Sequence, residues 1–165
     1  MKKTLAIFLT LLDQIQPSHV VDAGCGNGLP MITMLRKGFN VTGYDLSTTQ
    51  VAAAQKNLAD SNFGTNLVSV GDFECPDHIE ENSVDCITGM GTFYYSSNLL
   101  TVLQAHTNKI SPGGSIIFSL RNSLFSLATL NRYTSEFLSE LYGINELSET
   151  EQDEFFSLCS YDDFG

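Results

Sequence analysis

The most constraining feature of this sequence is an apolar stretch that runs directly into a cluster of glycines. Residues 19–23 have the apolar pattern of a buried strand, residues 24–28 read GCGNG, and an amphipathic stretch follows at 29–37. Glycine lets the backbone approach a ligand closely, and the first N–H groups of a helix have no partner within it. The stretch therefore predicts a strand, a tight turn and a helix, with a ligand site at the turn.

The same alternation of short apolar runs and longer amphipathic stretches continues along the chain. Strands are predicted at 19–23, 40–44, 66–70, 83–88 and 114–120, and helices at 29–37, 47–62 and 98–110. Ser47 is the predicted cap of the second helix, and Pro112-Gly113-Gly114 is a predicted turn before the last strand. The alternation predicts an α/β fold: a Rossmann-like, doubly wound, mostly parallel sheet with helices on both faces.

The first residues, MKKTLAIFLTLL, also resemble the start of a secretory signal peptide, because two lysines precede an apolar run. However, no small-x-small cleavage site follows Leu12, and the apolar residues recur on one helical face at Leu5, Phe8, Leu9, Leu12 and Ile15. The apolar run is too short to span a membrane. We therefore predict an amphipathic helix over residues 1–16 and a cytoplasmic protein without a membrane partner.

Length and charge limit the number of domains and the class of partner. A chain of 165 residues is predicted to form a single domain, with the N-terminal helix, a core at 17–122 and an acidic helical segment at 123–165. The 8 basic residues are scattered among 19 acidic ones, and no Lys or Arg follows Arg132. Because binding to a nucleic-acid backbone needs clustered Lys and Arg, we expect no nucleic-acid partner. The acidic segment is interpreted as a solvated face.

The four cysteines do not form a metal-binding pattern. Cys25, Cys75, Cys86 and Cys159 lack C-x-x-C spacing and a nearby histidine pattern. We therefore predict no metal site and expect the reduced thiols of the cytosol.

The spacing of the glycines narrows the class of ligand. Nicotinamide and flavin fingerprints have the pattern G-x-G-x-x-G, whereas Leu29 follows Gly28 here and the pattern is G-x-G-x-G. Asp22, just before the turn, suits a cationic or hydroxyl-bearing ligand better than a pyrophosphate, which a carboxylate repels. A nicotinamide oxidoreductase is therefore a disfavoured alternative.

Two further acids follow the next predicted strands. Asp45 ends the second strand, where doubly wound folds place a carboxylate that accepts the hydroxyls of a ribose. Asp72 follows the third strand and could accept a hydrogen bond from an adenine amino group. Each acid could instead be a turn or cap residue. Together they favour an adenosine pocket.

Four motifs resemble the S-adenosylmethionine-dependent class I methyltransferase family: VVDAGCGNG at 20–28, GYDLS at 43–47, GDFE at 71–74 and ISPGGSIIFS at 110–119. The resemblance extends from about Leu11 to Asn122. It implies the cofactor S-adenosyl-L-methionine, with the glycine turn at the methionine end, Asp45 on the ribose and Asp72 with Phe73 at the adenine. The predicted cofactor-binding residues are Asp22, Gly24, Cys25, Gly26, Asn27, Gly28, Asp45, Leu46, Asp72, Phe73 and Gly89.

The family usually has seven strands, of which the last two form an antiparallel hairpin. Five are predicted here, so we expect the final hairpin to be missing and the sequence to be a piece of a longer protein. An unpaired edge strand would then favour aggregation of the isolated piece.

The acceptor is expected beyond the fourth strand, at residues 89–98, because open α/β sheets bind ligands at that edge. The candidates are Thr92, Phe93, Tyr94 and Tyr95, with Arg121 as a clamp for an anionic acceptor. Their alternative role is packing or surface exposure. The prediction is methyl transfer to a small-molecule or saccharide-like acceptor. The alternative is a non-catalytic cofactor-binding protein or a truncated structural remnant, and no catalytic residue is assigned.

Overall fold

A computed structural model describes residues 2–120, together with residues 148 and 150. Residues 2–120 form one compact unit. The predicted acidic segment at 123–165 and the candidate Arg121 lie outside the described residues, apart from residues 148 and 150. The single-domain organisation stays a prediction.

Five parallel strands form the sheet, in the spatial order β3-β2-β1-β4-β5. They are β1 (Val20–Ala23), β2 (Val41–Asp45), β3 (Val68–Val70), β4 (Val84–Gly89) and β5 (Ile110–Phe118). The order reverses between β1 and β4, which is where such sheets open a crevice at the carboxyl ends of their strands. The predicted parallel, doubly wound sheet is confirmed, and no antiparallel hairpin occurs within residues 2–120.

Within residues 2–120, four α-helices cover the two faces of this sheet. They are α1 (Lys2–Ile15), α2 (Leu29–Arg36), α3 (Thr48–Asp60) and α4 (Leu99–Thr107). Helices α1, α2 and α3 pack on one face, around Leu12, Met31 and Leu58. Helix α4 packs on the other face through Val102, against Ile87. The prediction of helices on both faces is therefore confirmed. Within the described residues, no helix combines the length and the apolar character that crossing a membrane requires.

Local signals located the helix starts correctly. The Ser47 side chain accepts a hydrogen bond from Gln50 N at 3.3 Å and caps α3, as predicted. In α1, Phe8 and Leu12 are buried, but Ile15 at the end of the predicted apolar face is 39% exposed. The apolar face of α1 therefore packs on the core at Phe8 and Leu12, and Ile15 lies at its margin.

Two strands differ from their predicted bounds. A 3-10 turn occupies Thr65–Leu67, so β3 starts later than expected. Strand β5 starts at Ile110, so the predicted turn at Pro112-Gly113-Gly114 lies inside the strand. The ladder accommodates it by a shift in register, because Val84 pairs with Ile110 whereas Cys86 pairs with Ser115. Residues 111–114 have no partner in β4, and the pairing resumes after them, as in a bulge.

Candidate cofactor site

The turn between β1 and α2, Gly24–Gly28, is called the glycine turn below. Gly24, Gly26 and Gly28 have φ of 69°, 55° and 75°, in the left-handed region that favours glycine. Gly24 N and Cys25 N both donate to Tyr44 O, at 2.9 and 3.0 Å, which fastens the turn to β2. A Cβ on Gly26 would meet no atom within 4 Å. The turn is thus rigidly held and has open space beside Gly26.

Asp45, the last residue of β2, joins the glycine turn to the start of α3. Its Oδ2 accepts from Gly26 N at 2.8 Å, and its Oδ1 accepts from Ser47 N at 2.9 Å. Each carboxylate oxygen has two lone pairs, so both can accept a further hydrogen bond. The carboxylate is half-buried and fixed in orientation at the mouth of the turn.

Asp22 lies on β1 below the turn and is only 3% exposed. Its Oδ1 accepts a hydrogen bond from Thr88 Oγ1 on β4 at 2.8 Å. The pKa of this carboxyl is raised to about 7, mainly by burial; the hydrogen bond from Thr88 lowers the pKa, and the negative charge of Asp45 makes a smaller contribution that raises it. Asp22 is therefore a carboxyl group that changes its charge near neutral pH.

A cleft of about 210 Å³ opens above these residues. The carboxyl ends of β1 to β4 and the segments that follow them supply its lining, which is Gly24, Asp45, Leu46, Gly71, Phe73, Gly91, Thr92 and Tyr95. It thus lies at the crevice that the reversal in strand order creates. Its volume is below the roughly 300 Å³ at which pockets for drug-sized ligands begin, so a larger ligand requires part of the lining to move.

The side of the cleft that follows β3 is formed by backbone and by an aromatic ring. Gly71 N donates to Asp45 O at 3.1 Å, which fixes the loop to β2. Asp72 Oδ1 accepts from Glu74 N at 2.8 Å, so this side chain stabilises the turn that follows. Asp72 does not line the cleft, whereas Phe73 does. The turn role of Asp72 is thus observed, and its predicted adenine contact stays a prediction.

The residues from Gly89 to Asn98, called the β4–α4 segment below, close the opposite side. Thr92 is 8% exposed, and its Oγ1 donates to Gly24 O at 3.3 Å. A Cβ on Gly24 would overlap Thr92 Oγ1 and Cγ2. Phe93 is fully buried and packs over Gly89 so closely that a Cβ there would overlap its ring. Gly89 is therefore covered by Phe93 and does not line the cleft.

Two tyrosines follow Phe93 in a 3-10 turn. The rings of Tyr94 and Tyr95 lie 4.4 Å apart, and their hydroxyl oxygens are 3.4 Å apart. Tyr95 is 64% exposed and lines the rim of the cleft, opposite Leu46, which is 63% exposed. The structure thus places Thr92 and Tyr95 at the cleft, and Tyr94 beside it.

Gly24 is the one residue of the glycine turn that lines the cleft, so the predicted cofactor contacts of Cys25, Gly26, Asn27 and Gly28 stay predictions. Cys25 is buried against Gly43, and burial raises the pKa of its thiol to about 12, with smaller contributions from Asp22 and Asp45. Asn27 O accepts from Asn57 Nδ2 at 3.0 Å, so this residue ties the turn to α3. Both residues support the turn from behind.

Sequence reasoning missed two features of the site. Thr88, the partner of Asp22, could have been found only from the register of β1 against β4, which pairs these two residues. The second feature is a buried hydrogen bond between Tyr44 Oη and His106 Nε2, at 2.9 Å. His106 Nδ1 donates to Val102 O at 2.8 Å, and burial lowers the pKa of His106. The imidazole is therefore neutral, and Tyr44 donates the hydrogen bond to it.

A larger cleft of about 300 Å³ lies near the amino ends of the strands, beside His19, Thr42 and Ser83. His19 Nε2 and Thr42 Oγ1 lie 2.9 Å apart and bind each other there. Ligands of open α/β sheets bind at the carboxyl ends, so the smaller cleft is the candidate site. Among the described residues, no group of three or more His, Cys, Asp or Glu could hold a metal ion.

The part of the chain that matches a known protein family includes all the residues that line the cleft. Residues 21–118, which run from the second residue of β1 to the end of β5, match the methyltransferase domain family. The chain belongs to the S-adenosylmethionine-dependent class I methyltransferases. The glycine turn, Asp45 and the β4–α4 segment of this methyltransferase all lie within the matched residues.

Curated relatives and solved structures place the chain in the same family and fold. It is 31% identical over 134 residues to a ubiquinone biosynthesis O-methyltransferase of Paracidovorax citrulli, a match that covers 80% of this chain and 52% of the relative. The enzyme of that name from Vibrio cholerae is 28% identical over 130 residues, with 78% and 49% covered. The chain therefore spans about half the length of these relatives.

A similar fold is found in a putative sarcosine dimethylglycine methyltransferase from Galdieria sulphuraria. The two structures superpose with a TM-score of 0.62 at 24% identity, covering 70% of this chain and 43% of the other. At this identity the likeness shows the Rossmann-like methyltransferase fold alone.

Proposed function

We propose that this chain binds S-adenosylmethionine in the cleft at the glycine turn and transfers its methyl group to a small-molecule acceptor. The observation that carries the proposal is the Asp45 carboxylate, which is fixed by Gly26 N and Ser47 N at the mouth of an open glycine turn. Membership of the family supports the choice of cofactor.

The described residues fit this cofactor. The open space beside Gly26 is a cradle that any side chain would fill. Asp45 retains lone pairs for two ribose hydroxyls, and the exposed Leu46 and the ring of Phe73 supply apolar surface for an adenine. The cleft has carboxylates below and beside it, which suits a ligand with a net positive charge.

Methyl transfer from a sulfonium is an in-line displacement, so the protein contributes mainly by holding the reactants in line. Effective molarities of well-oriented reactants correspond to about 7 to 11 kcal/mol of barrier, more than the roughly 3 to 5 kcal/mol of a general base. Asp45 and the glycine turn would orient the cofactor. Thr92 and Tyr95, which line the opposite side, would bound the space for the acceptor and limit its access to water.

The net charge of the chain and the residues at the rim of the cleft support a small molecule as the methyl acceptor. The chain has a net charge of -11, which opposes a polyanionic partner. Leu46 and Tyr95 place exposed apolar surface at the entrance. The relatives are named as O-methyltransferases of ubiquinone biosynthesis, and we extend from them the proposal of a hydroxyl acceptor on a small molecule.

The first test is calorimetric titration with S-adenosylmethionine of the wild type, Asp45→Ala and Asp60→Ala. Asp45→Ala removes the proposed ribose acceptor and should weaken binding at least about tenfold, the effect of losing one charge-assisted hydrogen bond. Asp60→Ala removes an exposed carboxylate that pairs with Lys56, and should bind like the wild type. Absence of saturable binding by folded wild-type protein would refute the cofactor assignment.

A second pair of variants separates ligand contact from backbone strain. Gly26 and Gly38 both have positive φ, and both would have an open Cβ, but only Gly26 donates a hydrogen bond to Asp45, which lines the proposed site. Gly26→Ala should abolish binding of S-adenosylmethionine, whereas Gly38→Ala should retain it. Equal binding by the two variants would place the cofactor elsewhere.

The second candidate function is cofactor binding without methyl transfer. It is favoured by the contact of Thr92 with Gly24 O, which covers the face of the turn where the methionine end is expected. Incubation with methyl-labelled S-adenosylmethionine and a small-molecule extract distinguishes the two functions. Label in a product soluble in organic solvent supports transfer, and saturable binding without any labelled product supports the second candidate.

A further inference from the structure

We propose that Asp22, buried below the cleft, takes up a proton in the ligand-free protein and releases it when the cationic cofactor binds, so that affinity for the sulfonium cofactor depends more steeply on pH than affinity for its thioether product. This inference rests on the proposed function. It assigns to Asp22 a role in the pH dependence of binding that goes beyond the binding of S-adenosylmethionine itself.

Asp22 is buried at a position that offers its carboxyl group little hydrogen bonding. The carboxyl is 3% exposed, and Thr88 Oγ1 is its one hydrogen-bond donor among the described residues. No fully buried side-chain oxygen in the described part of the chain lacks a partner, so the second oxygen, Oδ2, keeps a small contact with solvent. A single hydroxyl is weak compensation for a buried negative charge, which favours the protonated form.

The titratable groups around Asp22 also favour its protonated form. The titratable groups that face Asp22 within the described residues are Asp45, the Cys25 thiol and the Tyr44 hydroxyl, none of which is cationic. The ion-paired lysines of residues 2–120, Lys37 and Lys56, bind Asp13 and Asp60 elsewhere on the surface. Asp22 and Asp45 therefore repel each other without a counter-ion.

A ligand with a net positive charge would supply the missing counter-ion. S-Adenosylmethionine carries a sulfonium in addition to its ammonium and carboxylate, whereas S-adenosylhomocysteine has a neutral sulfur. A nearby cation stabilises the carboxylate form, so the cationic cofactor would lower the pKa of Asp22 from its value of about 7 and expel the proton. The neutral thioether would do so to a much smaller extent, so its binding should depend less on pH.

Because binding of the cofactor is coupled to loss of the Asp22 proton, the affinity for the cofactor depends on pH. Below neutral pH the empty site holds the proton, and binding must displace it, so affinity for the cationic cofactor rises with pH through about 7 and then levels off. The ionised fraction of such a group rises about tenfold between pH 6 and pH 8. We therefore expect the affinity for S-adenosylmethionine to rise about tenfold over this range, and that for S-adenosylhomocysteine to rise less than about threefold.

The test is calorimetric titration of the full chain at pH 6 in buffers of different ionisation enthalpy, which counts the protons released on binding. S-Adenosylmethionine should release more than about half a proton from the wild type and almost none from Asp22→Asn. Asp22→Asn also reports the titration of the ligand's own amino group, so the difference between the two proteins belongs to Asp22.

Thr88→Val is a second variant that keeps the carboxyl and removes its hydrogen-bond donor. It should move the pH at which affinity rises upward by about one unit, because the carboxylate loses stabilisation. Wild-type binding of S-adenosylmethionine without proton release, or equal release with both ligands, would overturn the inference and leave the proposed function standing. Failure of S-adenosylmethionine to bind at any pH would overturn both.

Discussion

The glycine turn and the β4–α4 segment face each other across the cleft, but they are held by different interactions. The turn is fixed by backbone hydrogen bonds to Tyr44 O and by the Asp45 carboxylate. The β4–α4 segment is fixed by side chains: the buried ring of Phe93 packs on Phe118, and Thr92 donates a hydrogen bond to the turn. The Ser119 hydroxyl and the Glu74 carboxylate accept hydrogen bonds from Gly91 N and Ser97 N. Backbone geometry thus defines one wall of the cleft, and side-chain packing defines the other.

The two walls of the cleft therefore differ in how they tolerate amino-acid substitutions. A wall made of backbone depends on φ values that few residues other than glycine adopt, so its sequence is restricted but its position is robust. A wall made of packed side chains accepts many sequences but moves when the packing changes. The first arrangement suits the constant part of a reaction, a shared cofactor, and the second suits an acceptor that varies.

The largest expected effect comes from removing the aromatic anchor of the β4–α4 segment. Phe93→Ala should lower the free energy of unfolding by about 3 to 5 kcal/mol, the usual range for truncation of a buried phenylalanine. Urea denaturation measures the loss. Leu100→Ala is the control, because this leucine is 66% exposed and its truncation should cost less than about 1 kcal/mol. Equal losses would mean that packing does not hold this wall.

The next largest loss of stability is expected from a substitution that forces the two walls of the cleft apart. Gly24→Ala places a methyl group where Thr92 Oγ1 and Cγ2 lie, in a left-handed conformation. Strain and overlap together should destabilise the protein by about 2 to 4 kcal/mol. Thr92→Ala removes both overlapping atoms, so the double variant should recover part of that loss. Additive losses in this double-mutant cycle would contradict the contact.

The smallest effect tests the buried hydrogen bond that links the two sides below the cleft. Tyr44→Phe leaves His106 Nε2 without its donor and should lower the free energy of unfolding by about 1 to 2 kcal/mol. Thr107→Val removes an exposed hydroxyl bonded to Leu103 O on α4 and should change stability by less than about 0.5 kcal/mol. A neutral Tyr44→Phe would show that the histidine finds another donor.

The sequence predicted the backbone wall well because its chemistry is local. Three glycines, a strand before them and Asp45 at the end of the next strand are readable from residue order, and the structure brings the turn and Asp45 into hydrogen-bond contact. The bounds of β5 were less predictable, because Pro112-Gly113-Gly114 has the composition of a turn. Strand β5 pairs with β4 before the tripeptide, at Ile110, and again after it, from Ser115, so long-range pairing on both sides retains the tripeptide as an irregularity within the strand.

The packed wall was harder to predict because its residues are defined by contacts between distant parts of the chain. Phe93 and Tyr95 are both aromatic and lie two positions apart, yet one is fully buried and the other is 64% exposed. Only the position of α4 and β5 decides between them. The pairing of Asp22 with Thr88 likewise depends on strand register, which residue order does not specify.

The two hydrogen bonds that Asp45 accepts have a thermodynamic consequence. Gly26 N and Ser47 N already hold its carboxylate in one rotamer, so a ligand that binds there need not immobilise a free side chain. Fixing such a side chain on association opposes binding by about 0.5 to 1.5 kcal/mol. In this protein, that ordering entropy is lost during folding, and recognition of a ligand by Asp45 begins from a preorganised acceptor.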